Sequence, residues 1–262
     1  MNKFPLAALL VVGSLQFGLV GRLNAQTVIP PKNARIITIV DGVEINPFVR
    51  LGEHTLAFHR YGGNSAPITS AGINTRSAGS TMLVCVGRGD LSAFSLPRDN
   101  KGNIPYRQLG IAHPYTLWGS SGTALYVVSN AAGGQGHTVT TDTPPGDEIT
   151  LAVVEIINGG VIQDYQWNER LAGQPITSLS VTTTGPATLV AFWWGDAGVD
   201  GIKTAQPDNG FVVIDSILEA GALVQCSVAS KDVSSAGTYN VTWTATPLQG
   251  AQLWVVAIQR AP

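Results

Sequence analysis

"HTVTTDTPPGDEITLAVVEI", residues 137–156, is written a second time as "YNVTWTATPLQGAQLWVVAI", residues 239–258. His137 falls on Tyr239 and Ile156 on Ile258 at a constant offset of 102 residues. Each copy runs from a threonine-rich strand through a proline-containing turn into an apolar strand. Chance composition does not hold register over such a stretch, so the phrase marks an internal duplication.

The match extends upstream. "APITSAGINTRSAGSTMLVCVGRGD" (66–90) resembles "QPITSLSVTTTGPATLVAFWWGD" (174–196), each with Pro-Ile-Thr-Ser and an apolar strand ending in Gly-Asp. "PRDNKGN" (97–103) answers "QPDNG" (206–210) as the next turn. The halves are therefore 66–156 and 174–262. Short runs rich in Val, Thr, Ile and Leu alternate with Gly, Pro, Asn and Asp, and helical periodicity is nearly absent, which predicts an all-β sandwich. "ITLAVVEI" and "LWVVAI" barely alternate, as expected of central strands covered on both faces. "NVTWTAT" (240–246) does alternate, and its Val241, Trp243 and Ala245 belong in the core. No Pro/Ser-rich linker separates the halves, so one sandwich is expected rather than two domains. Residues 26–65, with the turn Asp41-Gly42 between two short strands, read as an N-terminal β-hairpin extension.

The order of strands and turns around "DNKGN", "YVVSNAAGGQGHTVT" and "AGTYNVTWT" resembles an uncharacterised, jelly-roll-like β-sandwich module of secreted bacterial surface proteins. The resemblance covers about residues 66–262 and implies a fold and an extracellular setting. It carries no catalytic signature.

Residues 1–25 have the pattern of an export signal: Lys3, the apolar run "FPLAALLVVGSLQFGLVG", and "LNA" before Gln26. Pro5, three glycines and Gln16 interrupt the run, which argues against a membrane anchor. No later stretch is long enough to span a bilayer as a helix. A secreted, extracellular or periplasmic chain is expected. Cleavage would lower the basic count from 15 to 13 against 17 acids, so no nucleic-acid footprint is present. Export permits a disulfide between Cys85 and Cys226, the two cysteines of the chain; the alternative is two buried thiols.

Chemical signatures are sparse. Arg88-Gly89-Asp90 looks like an adhesion tripeptide, but Gly-Asp recurs as a turn at Gly195-Asp196. Asp99, Asn100 and Asn103, with Asp196 and Asp200, offer oxygen ligands without full calcium-loop spacing. His54, His59, His113 and His137 form no zinc-type pair. Neither cofactor nor metal is expected. Glu155 is the acid inside an apolar strand and falls on Ala257 of the second copy. It reads as a rim position, or as one carboxylate of a glycoside hydrolase whose second acid is not evident.

The aromatic residues carry the functional expectation. Trp193 and Trp194 are consecutive and point to opposite faces of a strand. Aligned with Arg88, Trp194 is expected to face outward and Trp193 inward. Trp118, Tyr165 and Trp167 lie in loop-like stretches. Trp194, Trp118, Trp167 and Tyr165 are the candidate ligand-binding residues. Together they point to a non-enzymatic module for carbohydrate or surface recognition and adhesion, with a polysaccharide or cell-surface component as partner. A self-assembling homo-oligomeric surface protein is the second expectation, and a hydrolase using Glu155 the third.

Overall fold

The structure is a computed structural model and describes residues 38–40, 43–45, 49–60, 62, 67–89, 94–143, 145–171, 175–195, 203–218 and 224–261. Residues 1–25, Asp90, Asp196 and Asp200 lie outside them. The chain divides into two units, residues 1–46 and 47–262. In the first, β1 (Thr38–Val40) and β2 (Val43–Ile45) pair antiparallel; the predicted turn Asp41-Gly42 lies outside the described residues.

Strand is the only regular secondary structure among the described residues of the second unit. Its first half holds β3 (Arg50–His59), β4 (Ile68–Thr69), β5 (Ser80–Arg88), β6 (Arg98–Asp99), β7 (Arg107–Pro114), β8 (Gly122–Ala131), β9 (Val139–Thr141) and β10 (Ile149–Ile157). The second half holds β11 (Val161–Arg170), β12 (Ile176–Thr177), β13 (Val181–Thr183), β14 (Ala187–Gly195), β15 (Thr204–Pro207), β16 (Val212–Ile217), β17 (Gln225–Val233), β18 (Gly237–Tyr239), β19 (Thr242–Thr246) and β20 (Ala251–Gln259). Each half builds one five-stranded antiparallel sheet, in the orders β3-β10-β5-β8-β7 and β11-β20-β14-β17-β16. Neither closes into a barrel.

The two orders are the same order, which is the duplication in three dimensions. β10 corresponds to β20, β5 to β14, β8 to β17, β7 to β16 and β3 to β11. The correspondence reaches further back than the sequence showed. Residues 50–59, read from sequence as part of the extension, are the edge strand of the first large sheet and pair with β10 as β11 pairs with β20. A register shift occurs at the same place in both pairings, between Val154 and Ile156 on β10 and between Ile162 and Asp164 on β11.

The near-continuous apolar strands follow from the layering. The inner faces of the two large sheets meet in one core containing Leu83, Cys85, Val154, Phe192, Cys226 and Trp254. The outer face of each sheet is covered by its own short strands. In the first half, Ile68 and Val139 from the β4-β9-β6 sheet pack on Met82, Val84 and Leu151. In the second, Ile176, Val241 and Trp243 pack on Leu189, Ala191 and Trp193. The two large sheets are thus the layers of a sandwich, one layer per half, with smaller lids outside them. Val241, Trp243 and Ala245 point inward and Thr244 outward, as their alternation requires.

The repeated Pro-Ile-Thr-Ser is a joint between lid strands. The isoleucine is core, Ile68 or Ile176. The next threonine hydroxyl meets its counterpart across the pairing, Thr69 with Thr140 at 2.9 Å and Thr177 with Thr242 at 3.0 Å. The serine hydroxyl accepts a backbone N–H, from Val139 to Ser70 at 3.0 Å and from Val241 to Ser178 at 3.1 Å.

Strand pairing also corrects the alignment at the tryptophans by one residue. Arg88 and Gly195 both stand opposite the first residue of the neighbouring strand, Ile149 and Ala251. Trp194 therefore corresponds to Gly87, and Trp193 to Val86. Trp194 and Gly87 also touch: a Cβ on Gly87 would overlap Nε1 and Cδ1 of the Trp194 indole. Each is the other's equivalent, and the missing side chain of one makes room for the ring of the other.

A Gly87→Ala substitution should overpack this contact and destabilise the chain by about 1–3 kcal/mol in chemical denaturation. Gly119→Ala, where a Cβ meets nothing within 4 Å, should stay within about 0.5 kcal/mol. Equal midpoints for the two variants would contradict the packing.

Candidate functional site

The large sheets meet along two edges related by the duplication. On one side β7 faces β11; on the other β16 faces β3. The second pairing is joined by an ion pair, His54 Nδ1 to Asp215 Oδ2 at 2.7 Å. The first is aromatic. Tyr165 occupies the position equivalent to His54, and Trp167 that equivalent to Leu56. The Tyr165 ring packs on Gly110, whose φ of 66° is left-handed and lies in an irregular stretch of β7. A Cβ there would sit 3.4 Å from the ring. His113 stacks on Trp167, with centroids 3.8 Å apart and planes within 5°, and meets Trp254 edge-on at 5.2 Å. Burial lowers the His113 pKa and outweighs the opposing pull of Glu169, so the imidazole is neutral at pH 7.

Polar groups close the seam beneath this edge. Trp254 Nε1 donates to Thr123 Oγ1 at 2.8 Å, and Thr123 donates to Gln252 Oε1 at 2.6 Å. Gln252 Nε2 donates to the His113 carbonyl at 3.0 Å.

The turn from Tyr115 to Ser121 stands at the end of the edge. Tyr115 N–H donates to the Ser121 carbonyl at 2.8 Å, and Ser121 N–H to the Trp118 carbonyl at 2.7 Å. Glu169 on β11 holds the turn from the other sheet, accepting Thr116 N–H at 3.0 Å and also the Thr116 hydroxyl. Trp118 rides on this turn with 51% of its surface exposed, beside exposed Leu117. The remaining five tryptophans are buried or half-buried.

The structure therefore brings Trp118, Tyr165 and Trp167 to one edge and its adjoining turn. Tyr165 and Trp167 are not in a loop: they sit two residues apart on the same face of β11, with Glu169 next on that face. That alternation in "DYQWNE" was the available signal for Glu169, which sequence reading missed along with the His113 stack. Trp194 is not outward. It is 1% exposed and packs against Tyr115, ring centroids 5.8 Å apart. Both faces of its strand are interior, so alternation sends both Trp193 and Trp194 inside. Trp194 supports the Trp118 turn from beneath.

The other candidates are internal. Glu155 is buried rather than at a rim. Its carboxylate accepts Ser80 Oγ at 2.6 Å, Arg76 N–H at 2.8 Å and Glu53 N–H at 3.1 Å. Gly52 has no side chain to block this approach. Asp99 is occupied as well. It accepts Lys101 and Asn103 N–H, each at 3.0 Å, Asn103 Nδ2 at 2.8 Å and Tyr106 Oη at 2.7 Å. His137 Nε2 lies 3.2 Å from it and His137 Nδ1 lies 2.9 Å from Thr75 Oγ1. Asn100 and Asn103 are bonded to the 132–138 segment, so this turn is a closed joint. Arg88 is buried, bonded to the Asp142 carbonyl and lying over Phe94 at 5.1 Å, which removes it from an adhesion tripeptide. No group of three or more His, Cys, Asp or Glu capable of holding a metal occurs among the described residues.

Comparison with known proteins returned no matching family, no matching curated protein and no matching solved structure.

Two outcomes follow from these placements. Trp194→Ala should cost about 3–5 kcal/mol in denaturant unfolding, as for a core aromatic residue; a near-neutral change would mean that the ring is not packed. Asp99 is the site of an acid transition. Its burial alone would raise its pKa, but the bonds from Asn103 and Tyr106, with His137 Nε2 3.2 Å away, outweigh that and hold it below the usual value. The ionised group therefore adds stability above the unfolded pKa of about 3.9, and this is lost as pH falls through the lower folded value. The stability gap between wild type and Asp99→Asn should be constant near neutrality and narrow below about pH 4. A gap independent of pH would contradict the assignment.

Proposed function

We propose that the chain is a secreted, non-enzymatic recognition module that binds a polysaccharide of a cell surface through the β7–β11 edge, with Trp118 as the stacking residue. The observation that carries this reading is Trp118 itself: a tryptophan half in water on a turn bonded at both ends and clamped by Glu169. A large exposed ring on a rigid support binds without losing much side-chain entropy. Its face suits the C–H face of a pyranose ring as it suits other apolar surfaces. Leu117 and Leu171 widen the apolar surface, and both are exposed. The apolar run and small-residue cleavage pattern of residues 1–25 support export, and the resemblance to bacterial surface modules agrees with it.

Self-association is the second reading, favoured by the same exposed residues together with Ile111 of β7 and Val212 of β16, on the outermost strands of the two sheets. Wild type and Trp118→Ala should be compared by pull-down on insoluble cellulose, chitin and peptidoglycan, with thermal melts and light scattering in parallel. The recognition reading expects a monomer, loss of one of these affinities in the variant and an unchanged Tm. Retained affinity in the variant removes Trp118 from the site. Ligand-free oligomers that the substitution dissolves would establish assembly instead.

A further inference from the structure

Each half contributes one cysteine to the core between the large sheets, Cys85 from β5 and Cys226 from β17, and their sulfurs are not bonded to each other. The duplication shows how near they lie. Through the strand pairings Cys226 is the equivalent of Thr123, Cys85 of Phe192, and Ala152 of Trp254. Thr123 reaches across the seam to Trp254 at 2.8 Å. The equivalent reach from Cys226 is to Ala152, and Ala152 stands directly opposite Cys85 in the β10–β5 pairing.

The residues at this second point are also small. Cysteine and alanine stand where the other side of the seam has phenylalanine and tryptophan. Sheets separated by large side chains lie about 10 Å apart. Here Cα atoms of β17 come within 8 Å of those of β10 and of β3. A disulfide tolerates Cα separations of about 4.4–6.8 Å, and the two thiols share one core, with Cys226 near enough to Cys85 to help raise its pKa.

We propose that Cys85 and Cys226 form an intramolecular disulfide across the seam, closed by exchange with a small-molecule disulfide such as oxidised glutathione. One cysteine thiolate attacks the oxidant's disulfide and forms a mixed disulfide, releasing one oxidant thiolate. The second cysteine thiolate then attacks the protein sulfur of that mixed disulfide and releases the other. Two protein thiols are oxidised, one small disulfide is reduced to two thiols, and the two protons pass to the released thiolates. Burial pushes the Cys85 thiol well up and the Cys226 thiol up to about 12, so neither forms a thiolate readily once the seam is dry. Exchange therefore belongs to folding, before the sheets close.

The full chain should be refolded from guanidinium with reduced and oxidised glutathione, then denatured and treated with iodoacetamide without reductant. The expected result is a monomer two hydrogens lighter than the reduced chain. It should resist alkylation until dithiothreitol is added, and yield a peptide pair joining Cys85 to Cys226. Its Tm should stand above that of the same protein after reduction. Alkylation of both cysteines in the unreduced, denatured protein would overturn the proposal, as would glutathione adducts or a disulfide-linked dimer. Cys85→Ala and Cys226→Ala variants serve as controls: each should lose the oxidised-minus-reduced Tm difference whatever its own stability.

Discussion

The central strands of this chain have no wet face, and the architecture follows from that constraint. β5, β10, β14 and β20 are buried along nearly their whole length. A sheet made of such strands must be covered twice. The lid strands of its own half cover it once. The second cover here is the large sheet of the other half, which duplication supplies. Near the axis relating two such halves, a position packs against its own equivalent. Two glycines there would leave a hole and two tryptophans would collide. Gly87 against Trp194 is the solution open to two halves of one chain, whose copies can diverge.

What the sequence made legible follows the same physics. Alternation in "NVTWTAT" identified its buried face because one side of that strand meets water. The joint Pro-Ile-Thr-Ser was visible because each residue has a separate fixed role. The register between "VCVGRGD" and "AFWWGD" was not legible. Strands apolar on both faces carry no alternation, so nothing in them resists a shift of one residue. That shift placed Trp194 on Arg88 and outside the core. The reasoning that one of two consecutive tryptophans must leave the interior fails where both faces of a strand are interior. Glu155 was misplaced for a related reason. Its donors come from Glu53, Arg76 and Ser80, and no local pattern announces that three distant groups converge on one carboxylate.

The halves share what the sandwich needs and differ elsewhere. The first half ties its end loops with buried ionisable groups, Asp99 with His137 and Glu155 with its three donors. At the positions equivalent to His137 and Glu155 the second half has Tyr239 and Ala257. The seam edges differ as well. The pair His54–Asp215 on one side is answered on the other by Tyr165 packed along β7, and Leu56 is answered by the Trp167–His113 stack. Since both edges close the same sandwich, closure does not demand an aromatic one.

That difference bears on how the exposed tryptophan is held. Trp118 sits on a turn that bridges the two sheets, because Thr116 from the first half is bonded to Glu169 from the second. Beneath it Tyr115 rests edge-on against Trp194, whose ring occupies the space left by Gly87. The contact that fits one half to the other is therefore also the floor under the exposed Trp118 ring. A change at Gly87 or Trp194 therefore reaches the turn through Tyr115. The residue that first looked like a ligand contact thus acts on the surface from inside, by fixing the position of the residue that meets the solvent.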